Sequence, residues 1–105
     1  MNEPDKPAKR AWHLLPLRLV GLVVDVLQDC AAGRGEFGWQ TRNPVEHEEA
    51  IIRHLDRRQA GQFRDSSGHL ASAHIAARAL MLLWHDAFAP GAPEAELRAL
   101  DERAP

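Results

Sequence analysis

Tyrosine is absent from the 105-residue chain, and threonine and cysteine occur once each. With Cys30 alone, an internal disulfide is excluded and so is a cysteine cluster for zinc, which fits a reducing compartment. Cys30 also lacks a basic or metal-binding neighbour, so it reads as a small apolar residue late in a helix. Scarce threonine, absent tyrosine and the lack of alternating apolar and polar runs leave no β-strand to predict. Basic residues are not clustered. The 13 Lys and Arg interleave with 15 Asp and Glu for a net charge of -2, so no nucleic-acid partner is expected. No apolar run is long enough to span a bilayer, because Arg18 and Asp25 interrupt the stretch from Leu14 to Leu27. Residues 1–11 are polar and carry two prolines, a flexible lead-in without the marks of a targeting signal. A cytoplasmic location with no membrane partner follows by default.

What is present is the balance of a globular protein, 45% hydrophobic and 27% charged, in a length that supports one small domain. Pro16 suits a first helical position, and Leu17 to Leu27 is strongly apolar, giving a helix that ends near Ala32. Gly33, Gly35 and Gly38 then break it and leave Phe37 and Trp39 in a loop. A second helix starts at Asn43 as N-cap with Pro44 first inside, and Glu46 three residues on approaches a capping box. Its apolar stripe is Val45, Ile51, Ile52 and Leu55, and Gly61 stops it. A third helix is expected to start at Asp65, Ser66 or Ser67 and to run over about 67–88, where Pro90 and Gly91 end it. Between Leu70 and Trp84 only Ser72, His74 and Arg78 are strongly polar, so this helix should be central and covered on more than one side. The expectation is an all-α protein, a small three- to four-helix bundle over 12–90, with 91–105 as a short helix or mobile tail. So thin a core predicts a homo-oligomer.

Polar groups at helical spacing mark the candidate chemistry. Glu46 and Glu49 share a face of the second helix, a pair that suits magnesium but equally suits a solvated helix start. His47 and His54 also share a face, and His54, beside Leu55 and the apolar stripe, is expected to be the more buried. Asp65 lies between helices, where it either caps the third helix or faces a metal; His69 reads as a surface residue. His74 and Arg78 lie one turn apart among apolar neighbours, so their polar groups need partners: carboxylates of the second helix or an anionic ligand. The run G-R-G-E-F-G from Gly33 lacks the preceding strand and lysine of a phosphate-cradling loop. His85 and Asp86 form a dipeptide at a helix end rather than a metal site. Trp12 is expected in the core, and Trp39 either there or as a base-stacking platform.

Five short blocks keep a recognisable order: H-L-L-P (His13 to Pro16), G-x-x-x-W (Gly35 to Trp39), A-I-I-R-H-L (Ala50 to Leu55), D-S-S-G (Asp65 to Gly68) and A-H-I-A-A-R-A-L-M-L-L (Ala73 to Leu83). From Trp12 to Leu83 the chain resembles the small, largely phage-encoded family described as the N-terminal domain of dATP/dGTP diphosphohydrolases. The resemblance implies a helical fold akin to the all-α NTP pyrophosphohydrolases. It also implies metal-dependent cleavage of a purine deoxynucleoside triphosphate to monophosphate and pyrophosphate. The positions that match the family are Trp39, Arg53, His54, Asp65, Ser67, Gly68 and His74. On this reading Glu46, Glu49 and Asp65 hold Mg2+ or Mn2+. His54 and His74 contact phosphate or orient water, and Arg53 or Arg78 offsets phosphate charge. Gly33, Gly38, Ala71 and Arg78 stand where the family carries other polar side chains. These departures set a second expectation, a helical binding protein that keeps the fold and has lost the chemistry.

Overall fold

The computed structural model describes residues 9–88; expectations for residues 1–8 and for 91–105 lie outside them. Three α-helices account for most of these residues: α1 (Leu17–Arg34), α2 (Pro44–Gln59) and α3 (Ala71–Phe88). Short 3-10 turns occupy Trp12–Leu14 and Gly38–Thr41, and no strand occurs among the described residues. None of the helices is long and apolar enough to cross a membrane.

Local chemistry explains each boundary. Pro16 sits just outside α1 as its N-cap, and its carbonyl accepts from the amides of Leu19 and Val20. The helix runs to Arg34 because Gly35, at φ 83, takes a positive-φ conformation that residues other than glycine resist. Asn43 caps α2, its side-chain oxygen accepting from the amide of Val45 at 3.0 Å, with Pro44 as first helical residue. At the other end Gln62 donates to the carbonyl of Arg57 and Gly61 to that of Arg58. These are the paired bonds of a Schellman motif, with Gly61 at φ 91 in the turn.

The third helix departs from expectation at its start. None of Asp65, Ser66 and Ser67 caps it: α3 begins at Ala71, and the carbonyl of Leu70 accepts from the amides of Ala73 and His74. Residues 63–71 instead fold into a tight loop. An antiparallel bridge joins Arg64 to Leu70, and the amide of Ala71 donates to the carbonyl of Phe63 at 2.7 Å. Gly68, at φ 88, turns the loop back and so prevents helix through Asp65 to Ser67. The carboxylate of Asp65 is thereby fixed in a turn rather than spent on a helix terminus.

As expected, α3 is central. It packs on α1 and on α2, while α1 and α2 do not meet among the described residues. Ala73 and Ala77 lie against Val26 of α1, with Val23, Leu27 and Cys30 around them, and the small side chains allow close approach. The face of α2 turned to α3 is not the apolar stripe. Val45, Ile52 and Leu55 are exposed, whereas His47 and Ala50 are fully buried. His47, at 0% exposure, is therefore more buried than His54, the reverse of the expected order. Trp12, expected in the core, is exposed. Its short turn packs against none of the three helices.

Candidate functional site

Helix α2 runs antiparallel to α3, and its inward face carries histidine at both ends. His47 and His54 are seven residues apart, two turns on one face. His47 meets His85 of α3, with ring centroids 5.6 Å apart, and His54 stacks on His74 at 4.5 Å with ring planes 10° apart.

At the His54 end the loop after α2 brings in Asp65. Its Oδ2 lies 2.7 Å from Nε2 of His74, and both side chains are largely enclosed. Its Oδ1 accepts from the amide of Ser67 at 2.9 Å and from the hydroxyl of Ser67. A nitrogen of each imidazole and an oxygen of Asp65 all lie within 4.8 Å of one another. Burial lowers the pKa of His54 and His74 from the ordinary 6.5, His54 further depressed by His74, while Asp65 acts in the raising direction on both. For Asp65 burial works against ionisation. The Ser67 bonds and the two imidazoles overcome it and hold the carboxyl below its ordinary 3.8. The group thus presents a carboxylate between two neutral imidazoles at neutral pH. Ser67, His74 and Asp65 do not form a nucleophilic triad. Ser67 Oγ, at 3.4 Å, and Asp65 both approach Nε2 of His74, whereas a triad needs nucleophile and orienting carboxylate on opposite nitrogens of the histidine base.

At the other end His47 lies between Arg78 and Trp39. Arg78 donates from Nη1 to Nδ1 of His47 at 3.0 Å, so the imidazole is neutral with its proton on Nε2, which faces the carbonyl of Trp39 at 3.3 Å. Burial lowers the His47 pKa first, and Arg78 and His85 lower it further, against the raising effect of the Trp39 carbonyl. Arg78 makes no ion pair with a carboxylate among the described residues. Its second contact is with the sulfur of Met81 at 4.0 Å. Burial and the guanidiniums of Arg42, Arg34 and Arg53 disfavour its charge, with Cys30 acting in the opposite direction.

Between the end of α1, the Gly38–Thr41 turn and α3 lies a cavity of about 260 Å³. Arg34, Arg42 and Arg78 line it together with Trp39, His69 and His74. Asp29 also lies there, joined to Nε2 of His69, whose ring meets His74 edge-on at 5.7 Å. His69, expected at the surface, is half-buried and part of this wall, because the loop's return at Gly68 folds it inward.

The structure therefore brings together His54, Asp65 and His74, and places Trp39 and Arg78 in the adjoining cavity. It does not bring Glu46, Glu49 or Arg53 to them: all three are exposed on α2, and Glu46 pairs with Arg42 at 4.0 Å. Position on the helix is the reason, since each precedes an inward residue (His47, Ala50, His54) and so is turned about 100° away. Trp39 combines packing with access to the cavity. It packs edge-on to Trp84 and His85 at 5.5 and 6.5 Å and also lines the cavity. His47, Arg34, Arg42 and Asp29 were not singled out as site residues. Only His47 carried a signal, its shared face with His54.

A family model described as dATP/dGTP diphosphohydrolase, N-terminal, matches residues 2–94. No curated protein and no solved structure matches the chain.

Proposed function

The chain belongs to the dATP/dGTP diphosphohydrolase N-terminal family, and from that premise we propose that it binds a purine nucleoside or deoxynucleoside triphosphate and hydrolyses it to monophosphate and pyrophosphate. The observation that carries this reading is Arg78. Its guanidinium sits half-buried in the cavity, held by a neutral histidine and paired with no carboxylate among the described residues. A partly buried cation without an anion is disfavoured, and a polyphosphate supplies the missing partner. Arg34 and Arg42 on the same wall extend the positive surface, and Trp39 offers an aromatic flank to the base.

In the reaction a water oxygen bonds to the α-phosphorus as the bond to the bridging oxygen breaks, releasing pyrophosphate. The arginines offset charge on the leaving group. His74, held at Nε2 by Asp65, and His54 form the polar wall that orients water or phosphate oxygen. The family implies a divalent metal. The carboxylate set expected for Mg2+ or Mn2+ does not fit, because Glu46 and Glu49 are exposed and stand apart from Asp65.

Arg78 also favours a second reading, a nucleotide-binding protein without turnover, since a cation one turn from His74 opposes a nearby metal. Incubation with dATP, dGTP and other triphosphates plus Mg2+ or Mn2+, with pyrophosphate as readout, separates the two. Turnover that is lost in a folded Asp65→Asn variant supports the hydrolase. Saturable binding without turnover, weakened in Arg78→Met, selects the second reading. Neither binding nor turnover overturns both.

We also propose that the protein self-associates. Leu80 and Leu83 of α3 are exposed at 50% and 60%, and they border an apolar groove shared with Val24, Phe37 and Trp84. A second copy covering this groove would thicken the thin core. Sedimentation of the wild type against Leu83→Glu tests it, a monomer in both overturning the idea.

A further inference from the structure

We infer that His54, Asp65 and His74 form a metal site of two nitrogens and one carboxylate oxygen, which selects a transition-metal ion such as Mn2+, Fe2+, Co2+ or Zn2+ over Mg2+. The inference deepens the hydrolase reading by naming its metal site, and it is tested without nucleotide.

Geometry comes first. Donors at about 2.1 Å from a common ion, meeting at angles between a right angle and tetrahedral, are roughly 3.0–3.4 Å apart. Asp65 Oδ2 and His74 Nε2 are 2.7 Å apart, and the donor of His54 lies within 4.8 Å of both, so small side-chain rotations bring all three to one ion. The hydrogen bond that now joins Asp65 to His74 is the contact an ion would replace.

Three further observations point to a ligand here. First, Nδ1 of His54 is buried without a hydrogen-bond partner, an unusual state for a polar atom in a folded protein and one that coordination or a reorientation toward an ion relieves. Second, Asp65 is oriented by its neighbours. Ser67 occupies Oδ1 through both amide and hydroxyl, which leaves Oδ2 as the oxygen facing the imidazoles. Third, the residues come from three separate segments, α2, the 63–71 loop and α3, and the loop is locked by Gly68 and by the bond from Arg64 to the Gly68 carbonyl at 2.7 Å. The site is therefore held by the fold and not by one flexible stretch.

Ligand type then sets the ion. Magnesium takes oxygen ligands almost exclusively and keeps most of its water, so two imidazoles serve it poorly. Imidazole with carboxylate suits first-row transition metals. Three protein ligands also leave coordination positions for water or a phosphate oxygen, and His74 and Ser67 face the arginine-lined cavity where a polyphosphate would enter.

The test uses untagged protein stripped with a chelator and then titrated calorimetrically with Co2+, Zn2+, Mn2+ and Mg2+, with the visible absorption of bound Co2+ as a second readout. The expected result is one Co2+ or Zn2+ per chain, bound far more tightly than Mg2+. His54→Ala and Asp65→Asn should each weaken that binding by roughly tenfold or more while far-UV circular dichroism stays unchanged. Glu49→Gln should bind as wild type. Should His54→Ala fail to fold, His54→Gln, which keeps size and polarity, carries the same prediction. Equal Co2+ binding in the folded variants, tighter binding of Mg2+, or no bound metal overturns the inference. Hydrolysis supported by Mg2+ with no Co2+ site removes this inference and leaves the hydrolase reading. Site-specific Co2+ binding without hydrolysis supports the site and removes the hydrolase.

Discussion

Two histidine pairs lie along the same α2–α3 interface, and their surroundings make them opposites. His47 and His85 are both buried and edged by Trp39 and Trp84, and the charged group bonded to His47 is a cation, Arg78. His54 and His74 are less enclosed and face an anion, Asp65, with a serine and a cavity beside them. The same side chain is thus a neutral hydrogen-bond relay at one end and a member of a charged, solvent-reachable group at the other. What differs is the neighbour's sign and the access of water, not the residue.

The contrast is broken most sharply by substituting each end in turn. At the closed end, Met81→Ala empties a fully buried position, and unfolding free energy should fall by about 2–5 kcal/mol in urea titration. At the open end His54→Ala should leave stability within about 1 kcal/mol. If the hydrolase reading holds, the same change should lower pyrophosphate release by about 100-fold or more. A large stability loss with intact turnover would reverse the assignment of the two ends. His47→Leu strands the Arg78 donor and should cost about 1–3 kcal/mol. The double variant His47→Leu, Arg78→Met should be more stable than the sum of the two single losses, since it removes both partners.

Acid sharpens the same comparison. The folded pKa of His47 lies below the ordinary 6.5, so the unfolded chain takes up a proton more readily than the folded one. Its contribution is fully present above pH 6.5 and is lost as pH falls from there toward the folded value; His54 and His74 act in the same direction. Asp65 has a depressed pKa and its contribution disappears only below 3.8, outside that window. The urea midpoint of metal-free protein should therefore be lower at pH 5.5 than at pH 7.5, and His47→Leu should flatten the difference. The smallest effect belongs to Glu49→Gln, an exposed position. It should change stability by less than about 0.5 kcal/mol and leave turnover near wild type.

Much of the fold was legible because local chemistry decides it. Asn43–Pro44 and Gly61 mark α2 by capping and by a positive φ, and the near-continuous apolar run of α3 requires cover on two sides. The start of α3 was not legible, because Asp65, Ser66 and Ser67 are good caps in isolation. Gly68 and the Arg64–Leu70 bridge outcompete that local preference. The site was half legible. His54, Asp65 and His74 each stood out, but so did Glu46 and Glu49, which lie on the outward face of α2, since spacing shows which residues share a face and not which face turns inward.

The sequence by itself determined an all-α chain, three helices with their approximate bounds, and a set of polar groups near apolar surface. Those follow from propensity, capping and periodicity, which act over a few residues. The tertiary structure decided that histidines and not the Val45–Ile52–Leu55 stripe fill the α2–α3 interface. It also decided that Asp65 joins His54 and His74, and that Arg78 lies across from His47 with no carboxylate partner among the described residues. Each of these contacts joins residues from different elements. Which side chains meet depends on how one helix rotates against another, and only the packed chain sets that rotation.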